Sequence, residues 1–585
     1  MNVQMLLEKN KIKLLLFTML LALVVRISVL PYVFSNGSIT FLGADTYYHV
    51  RRILFTASHF PNTLNFDIYV DFPYGTKIGW MPLYDQFVAL IALIAGLGKP
   101  SLFTIEATAA IVPPLLGVMT VLLVFFTAEK IFDWRAGLFS AGIFAITPAH
   151  VYVSFLGYAD HHVAETFLST TAYLFFIIAL KRLQKENISI DPKTKLSKIL
   201  SFPILTGITL AISILTWNGA PIFVGLIGVF IIVQFVLDKM SGRNSDYLVI
   251  TGGIAYFVSF LIITPVALIK GMGFEYNSYS PSLFHSGFLA VFVSLCIMLA
   301  LIQKIHFKKW WYYPLLLILM FEATLYSLGS LYPQFYQSAM SGVGYIFGEG
   351  VSMVQEAQPL FTDPGTGFTL DHVWNDFSVS FFIALISILF ITREALKDKY
   401  NFKYVFFIIW TLIVLTLTIF QRRFIYLLAV NVAILSGYFV VNTMNFFSPK
   451  PDNKKITSNI RRKASRISDP KFNKGLILGI LMIAIIAIPD IIIIKSMATD
   501  DIPAPPSDLQ ESFKWLKNNS LPTSYYDNPD KTPEYGVMSF WDNGNWILYF
   551  SQRPVVTNNF QAGLGDAVRF LIEPDEKIAN EVLNQ

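Results

Sequence analysis

Residues 473–495 read NKGLILGILMIAIIAIPDIIIIK. Between Lys474 and Lys495 the only charged residue is Asp490. A helix rises about 1.5 Å per residue, so about 20 apolar residues cross roughly 30 Å of hydrocarbon. The stretch is therefore read as a membrane span. The composition changes on both sides of it. Upstream, the segment 443–472 carries Lys450, Lys454, Lys455, Arg461, Arg462, Lys463, Arg466 and Lys471. Downstream, Ile502-Pro-Ala-Pro-Pro-Ser507 reads as a linker, and a polar tail follows.

The same length scale finds twelve more spans, near 12–33, 103–127, 133–153, 164–181, 198–216, 218–237, 247–268, 284–302, 310–327, 376–392, 403–420 and 424–442. Leu83 to Leu97 is too short to cross and reads as an interfacial or re-entrant helix. The whole chain agrees: of 585 residues, 54% are hydrophobic and only 14% charged. Soluble domains average about 25% charged residues. This composition excludes an ordinary soluble enzyme and a disordered chain. The lone cysteine, Cys296, excludes an intrachain disulfide, a cysteine metal cage and a thiol pair.

Short cytoplasmic loops collect Lys and Arg. With the N-terminus inside, thirteen spans put Lys9, Lys11 and Lys13 on the cytoplasmic side, with Lys181, Arg182, Lys185, Lys193, Lys195 and Lys198. Lys304, Lys308, Lys309, Arg393, Lys397, Lys399, Lys403 and the 443–472 cluster join them. The segment from Leu328 to Asp376, on the other side, has no Lys or Arg. The first apolar run is long and no small-residue cleavage site clearly follows it, so it is read as a span and not as a cleaved signal. The expected organisation is a transmembrane domain, 1–497, with large external loops at 34–102 and 328–375, then a small mixed α/β external domain, 498–585. In the tail we expect helices near 508–518, 565–572 and 576–583 and a strand at Ile547 to Phe550.

This topology gathers four unusual segments on one face. They are Gly43-Ala-Asp-Thr-Tyr-Tyr-His-Val-Arg-Arg52, Gly157-Tyr-Ala-Asp-His-His-Val-Ala-Glu165, Val351-Ser-Met-Val-Gln-Glu-Ala-Gln-Pro359 and Ser539-Phe-Trp-Asp-Asn-Gly544. Asp45, Asp160 and Glu356 lie at or beside membrane ends. Oxygen ligands with at most one imidazole suit a hard divalent ion such as Mg²⁺ or Mn²⁺. Three gathered acids without a cation raise one another's pKa. Spacing alone equally allows solvated loop acids, helix caps and interfacial histidines, and both readings stand at this point. Arg422 and Arg423 suit either a lipid phosphate or headgroup snorkelling. Glu106, Glu165 and Glu322 read as boundary or packing residues, and Trp217-Asn-Gly219 and Trp80-Met-Pro-Leu-Tyr84 as turns in an aromatic belt.

In order along the chain, these segments resemble the catalytic subunit of oligosaccharyltransferase in its archaeal form. Phe540-Trp-Asp-Asn-Gly544 resembles the family's Trp-Trp-Asp-Tyr-Gly signature, in a soluble tail after about thirteen spans. Gly43-Ala-Asp45 resembles its first acidic motif and Asp160-His-His162 its second. Ser352-Met-Val-Gln-Glu356 resembles the long-loop motif, and Gln421-Arg-Arg-Phe-Ile-Tyr426 the segment bearing an essential arginine, here Arg423. Residues 557–570 resemble the segment after the signature. The match covers nearly the whole chain.

The resemblance implies a GT-C type fold. It implies transfer of an oligosaccharide from a dolichyl phosphate or diphosphate carrier to Asn in Asn-X-Ser/Thr, with inversion and dependence on Mn²⁺ or Mg²⁺. It implies that Asp45, Asp160, His162 and Glu356 hold the metal, and that Asp45, Glu356 and Arg423 are catalytic. Arg423 would contact donor phosphate or anchor the acids. Phe540, Trp541 and Asp542 would receive the acceptor Ser/Thr hydroxyl. The implied partners are the lipid-linked donor, acceptor polypeptides and membrane lipids, with no nucleic acid, and single-subunit action is compatible. The implied location is the cell membrane with the active site outside. Phe540 stands where the family has Trp, and Asn543 where it has Tyr. The tail reads as a short form of the family's domain, as incomplete, or as completed by a partner. The rival readings are another lipid-phosphate-sugar glycosyltransferase and, less well supported, a secondary transporter.

Overall fold

The computed structural model describes residues 8–35, 37–185, 200–347, 354–363, 365, 367–448 and 474–583. Lys193, Lys195 and Lys198, all eight basic residues of the 443–472 cluster, and Val351, Ser352 and Met353 lie outside the described residues.

Among the described residues, eleven helices are long and apolar enough to cross a membrane. They match eleven of the expected spans. The other two expected spans differ. Ser201–Thr216 has 16 residues, short of a full crossing by itself. The 133–153 stretch forms two helices, Trp134–Ala145 and Pro148–Tyr152. Pro148 causes the break: the residue before a proline is pushed out of helical geometry, while proline suits the first turn of the next helix. The freed Ala145 carbonyl accepts from Arg26 at 3.0 Å. Arg26 also donates to Ser154 Oγ at 2.9 Å. Leu83–Ala95 is a 13-residue helix, too short to cross as expected.

Burial sorts the bundle. The helices Arg422–Phe447 and His162–Lys185 are the most enclosed, 89% and 78% buried over their apolar windows. Tyr312–Leu331 buries only Tyr313 and Leu317. Its apolar surface, with that of Lys474–Thr499, faces outward, where lipid replaces water as the solvent. The two enclosed helices begin at the segments that carry the histidines and Arg423, so the candidate site sits on the rigid centre of the bundle.

Among the described residues the sheet content is three two-stranded antiparallel hairpins: Phe34–Ser35 with Ser38–Ile39, Phe66–Asp67 with Thr76–Lys77, and Thr362–Asp363 with Gly367–Phe368. The tail is helical at Ser507–Asn519, Leu564–Ile572 and Glu576–Leu583. Its β content among the described residues is a pair of isolated bridges that join Val555 to Val537 and to Val70. The expected strand at Ile547–Phe550 is a π-helical turn, Ile547–Ser551. A four-residue apolar run does not fix its period. Here a helical turn buries Ile547 and Leu548 and lets the Tyr549 hydroxyl donate to Glu106 at 2.6 Å.

Candidate active site

The site is assembled by backbone contacts between distant segments. Leu42 N–H donates to Gly157 O at 2.9 Å, which lays the first motif beside the second. Gly43 N–H donates to Pro503 O at 2.5 Å, which brings in the linker before the tail. Gly43 has φ +80°, a conformation glycine reaches without strain, and it leads into the helix Ala44–His59. Asp45 lies in the first turn of that helix. An acid there also faces the positive end of the helix dipole.

Asp160 is buried at the centre. Its Oδ1 lies 2.7 Å from His161 Nδ1 and 3.4 Å from His49 Nε2. Its Oδ2 lies 3.6 Å from His162 Nε2. His162 Nδ1 contacts Glu165 Oε1 at 3.0 Å, and Tyr426 donates its hydroxyl proton to Glu165 Oε2 at 2.7 Å. His161, His162 and Glu165 offer ligand atoms within 4.8 Å of one another, as do His49, Asp160 and His161. Glu356 follows the long external loop on a short 3₁₀ turn, Gln355–Ala357. Arg423 donates to its Oε1 and to the Tyr345 hydroxyl. Arg422 fastens the same turn: its guanidinium donates to Gln355 O at 2.6 Å and its N–H to Gln358 O at 2.9 Å.

The electrostatics couple the three acids. Burial pushes the Asp45 carboxyl up to about 6, and the Asp160 charge adds to this against His49, His162 and Arg423. Glu356 is half exposed, yet the enclosing protein raises it to about 7; His162 opposes the rise, while Asp45, Asp160 and Glu165 add to it. Burial also works against the Asp160 charge, but His162 and His161 hold its carboxyl well below the usual range. Asp160 is thus the fixed anion, and Asp45 and Glu356 are the acids that feel it.

The tail reaches this cluster through its motif. Phe540, Trp541 and Asp542 lie at a 3₁₀ turn, Trp541–Asn543. Phe540 and Asp542 are exposed and Trp541 is half-buried. Gly544 follows, and then Asn545, whose amide donates to Asp45 Oδ1 at 3.1 Å. Asn558 donates to Asn545 Oδ1 at 2.8 Å and holds that amide in place.

Asp45, Asp160, His162, Glu356 and Arg423 therefore form one electrostatic cluster, with the Phe540–Asp542 segment a few residues from its edge. Reading the sequence missed four members. His49 and Asp85 were assigned no role. Glu165, read as a boundary or packing residue, is 1% exposed in the first turn of its helix and is shared by two histidines and a tyrosine. Trp80 stacks flat on His49, with ring centres 4.1 Å apart. A signal existed for two of them. His49 follows Asp45 by four residues on one helix face, and Glu165 follows His161 by four and His162 by three.

The fold and site define a multispan helical membrane protein whose polar centre lies at the ends of its most enclosed helices, covered by a small tail. The family model for Oligosaccharyl transferase STT3, N-terminal, matches residues 12–467, and the AglB core domain matches 506–585. The chain belongs to the oligosaccharyl transferase STT3 family. It is 28% identical to dolichyl-phosphooligosaccharide-protein glycotransferase 1 of Archaeoglobus fulgidus, over 97% of this chain and 85% of that one. It is 24% identical to the dolichyl-monophosphooligosaccharide–protein glycotransferase AglB of Haloferax volcanii, over 94% of this chain. The chain spans 60% of the length of that relative. The apo crystal structure of an A. fulgidus oligosaccharyltransferase superposes with a TM-score of 0.85 at 23% identity, covering 98% of this chain and 68% of that one. The archaeal AglB from A. fulgidus, in complex with an inhibitory peptide and a dolichol-phosphate, gives 0.83 at 23% identity, covering 99% and 68%.

Proposed function

We propose that this chain transfers an oligosaccharide from a dolichyl phosphate or diphosphate carrier to the side-chain amide of Asn in Asn-X-Ser/Thr. The observation that carries the reading is the contact of the tail with the acid cluster, where Asn545, the residue after the motif, donates to Asp45. Recognition of a sequon needs one group for the hydroxyl and another for the Asn, held at a fixed separation. The A. fulgidus neighbours solved with dolichol-phosphate and with a tethered peptide containing the NVT sequon support it.

An amide nitrogen is a poor nucleophile because its lone pair is delocalised into the carbonyl. Asp45 and Glu356 grip the acceptor amide N–H groups and twist the bond, which frees the lone pair. Arg423 anchors Glu356 and presents a cationic fork to the donor phosphate. Trp541 and Asp542, beside Phe540, receive the Ser/Thr hydroxyl, and a peptide without it leaves polar groups unpaired. Attack at C1 from the side opposite the phosphate inverts the anomeric centre. The domain division at 497/498 separates the two tasks, with the reacting centre in the membrane domain and the hydroxyl pocket in the tail. The active face is extracellular.

The residues present fit a divalent metal. Asp45, Asp160, Glu356 and His162 would make an oxygen-rich donor set with one imidazole, suited to Mn²⁺ or Mg²⁺, while among the described residues the ligand atoms that stand within 4.8 Å of one another are those of His49, Asp160 and His161 and of His161, His162 and Glu165. Burial raises the Asp45 and Glu356 carboxyls first and the neighbouring acids add to it, and a bound cation would offset both. Bound there, the ion would neutralise charge growing on the leaving phosphate.

The test is transfer to a fluorescent Asn-X-Thr peptide by purified protein, with a lipid extract as donor. Glycosylated peptide is expected with Mn²⁺ and none with chelator or with the Asn→Gln peptide. Consumption of lipid-linked sugar with no peptide product would instead assign a different acceptor.

Metal uptake follows from the same acids. A metal must displace the protons that Asp45 holds up to about 6 and Glu356 up to about 7. Mn²⁺ affinity is therefore expected to rise with pH, because Asp45, Glu356 and the proposed imidazole ligand His162 must all give up their protons to bind, and most steeply below about 6, where both carboxyls are protonated. Electron paramagnetic resonance titrations at three pH values measure this, and a flat profile would contradict it.

A further inference from the structure

Behind Asp160 runs a line of buried groups that the proposed reaction does not use. His49 Nε2 lies 3.4 Å from Asp160 Oδ1 and 3.1 Å from His161 Nδ1, which itself lies 2.7 Å from the same Asp160 oxygen, and His49 Nδ1 lies 2.7 Å from Asp85 Oδ1. The other Asp85 oxygen lies 2.6 Å from Arg52 Nη1. Arg52 is itself fixed to the backbone, donating to Leu64 O at 3.1 Å and to Trp80 O at 3.2 Å. The Trp80 ring then covers one face of His49, tilted by only 8°. His49 is 1% exposed, and Asp85 and Arg52 are fully buried.

We propose that His49 is a positioning residue for metal binding: it holds one oxygen of Asp160, is itself held by Asp85 and Arg52, and leaves the other oxygen free to ligate. The inference rests on the reading that Asp160 holds the divalent ion.

Three observations carry it. The two oxygens of Asp160 are divided between different neighbours. Oδ1 faces His49 and His161, while Oδ2 faces His162, the proposed imidazole ligand. Next, an ion pair between Arg52 and Asp85 would hold these helices together without any imidazole, yet a histidine stands between Asp85 and the acid cluster with a partner on each nitrogen. A buried imidazole is costly unless both nitrogens are used. Finally, Asp45, His49 and Arg52 lie within two turns of one helix, Ala44–His59, so the chain ties the ligand Asp160, from a distant segment, to the element that carries the ligand Asp45. Carboxylates and histidines that orient ligands in this way set metal affinity, and their loss costs on the order of 10- to 100-fold in binding.

Two substitutions separate this role from packing. His49→Gln puts an amide N–H near the position of Nε2, so it keeps the contact to Asp160. His49→Asn keeps a polar group near Nδ1, towards Asp85, and leaves Asp160 Oδ1 without that partner. Mn²⁺ affinity of the purified full chain is read by electron paramagnetic resonance, with thermal unfolding in metal-free buffer alongside. The expected result is a loss of about 10- to 100-fold in Mn²⁺ affinity for His49→Asn and of less than about threefold for His49→Gln, with similar midpoints of unfolding. Excess Mn²⁺ should restore transfer by the Asn variant. Equal Mn²⁺ affinity in wild type and His49→Asn would overturn the inference and leave the metal reading intact. A His49→Asn protein that does not fold would overturn it in favour of a structural role. Wild type that binds no Mn²⁺ would remove the metal reading and this inference with it.

Discussion

Replacing Asp45 by Asn is expected to lower glycosyl transfer by on the order of a thousandfold or more while leaving the protein folded. The substitution keeps the side-chain shape and one carbonyl oxygen, so Asn545 still has an acceptor at 3.1 Å. It removes the charge. That charge is what grips the acceptor amide and completes the metal set in the proposed reaction. It is also unfavourable to the fold, because burial and the Asp160 charge already push the Asp45 carboxyl up to about 6. A neutral residue there relieves crowding, so thermal stability in metal-free buffer is expected to be unchanged or slightly higher. Loss of activity with retained stability is the signature of a functional acid, whereas loss of both would mark a structural one. The measurement is the rate of peptide glycosylation at saturating Mn²⁺, with unfolding followed in parallel. A variant that keeps a tenth of wild-type activity would remove Asp45 from the reacting centre.

The second large effect is expected from the smallest change in the tail motif, Gly544→Ala. The backbone at Gly544 has φ −58°, which alanine adopts freely, so conformational strain is not the issue. The obstacle is proximity. An added Cβ would stand 2.4 Å from Asn558 Cα and 2.5 Å from the Thr557 carbonyl oxygen. Both obstacles are backbone of fully buried residues, which give way less readily than a flexible side chain. Overpacking of this kind costs about 1–3 kcal/mol. The functional loss is expected to be larger, because the displaced segment includes Asn545. Its contacts to Asn558 and Asp45 seat the hydroxyl-recognising turn against the acids. A misplacement of about 1 Å is worth on the order of 100-fold in rate. Transfer is expected to fall by about that factor, with a raised KM for the peptide. Gly565→Ala is the control, since its Cβ would meet nothing within 4 Å. Equal activity of the two variants would contradict the argument.

Much of the architecture was legible because its cause is local. Hydrocarbon thickness and backbone hydrogen bonding force each span to be a helix of set length, so counting apolar residues located eleven long helices. The reading erred where local pattern underdetermines geometry. Pro148 divides a stretch that apolar counting treats as continuous. Ile547 to Phe550 has strand-like composition but packs as a helical turn against the membrane domain. The resemblance to the oligosaccharyltransferase family rested on short motifs, and it stands because the family model spans residues 12–467.

The sequence by itself determined the class of protein, the order of its apolar segments, and Asp45, Asp160, His162, Glu356 and Arg423 as residues to watch. These are properties of composition, segment length and motif, which a chain carries whether folded or not. Only the tertiary structure decided which partners each of them contacts. His49 and His161 are 112 residues apart in the chain and 3.1 Å apart at their ring nitrogens. Asn545 reaches Asp45 across 500 residues. The physical reason is that ligation, ion pairing and pKa coupling act over a few ångströms in a poorly screening interior. Those distances exist only after the helices pack, so Glu165 reads as a boundary or packing acid in the sequence and only the fold shows it as a buried partner of two histidines.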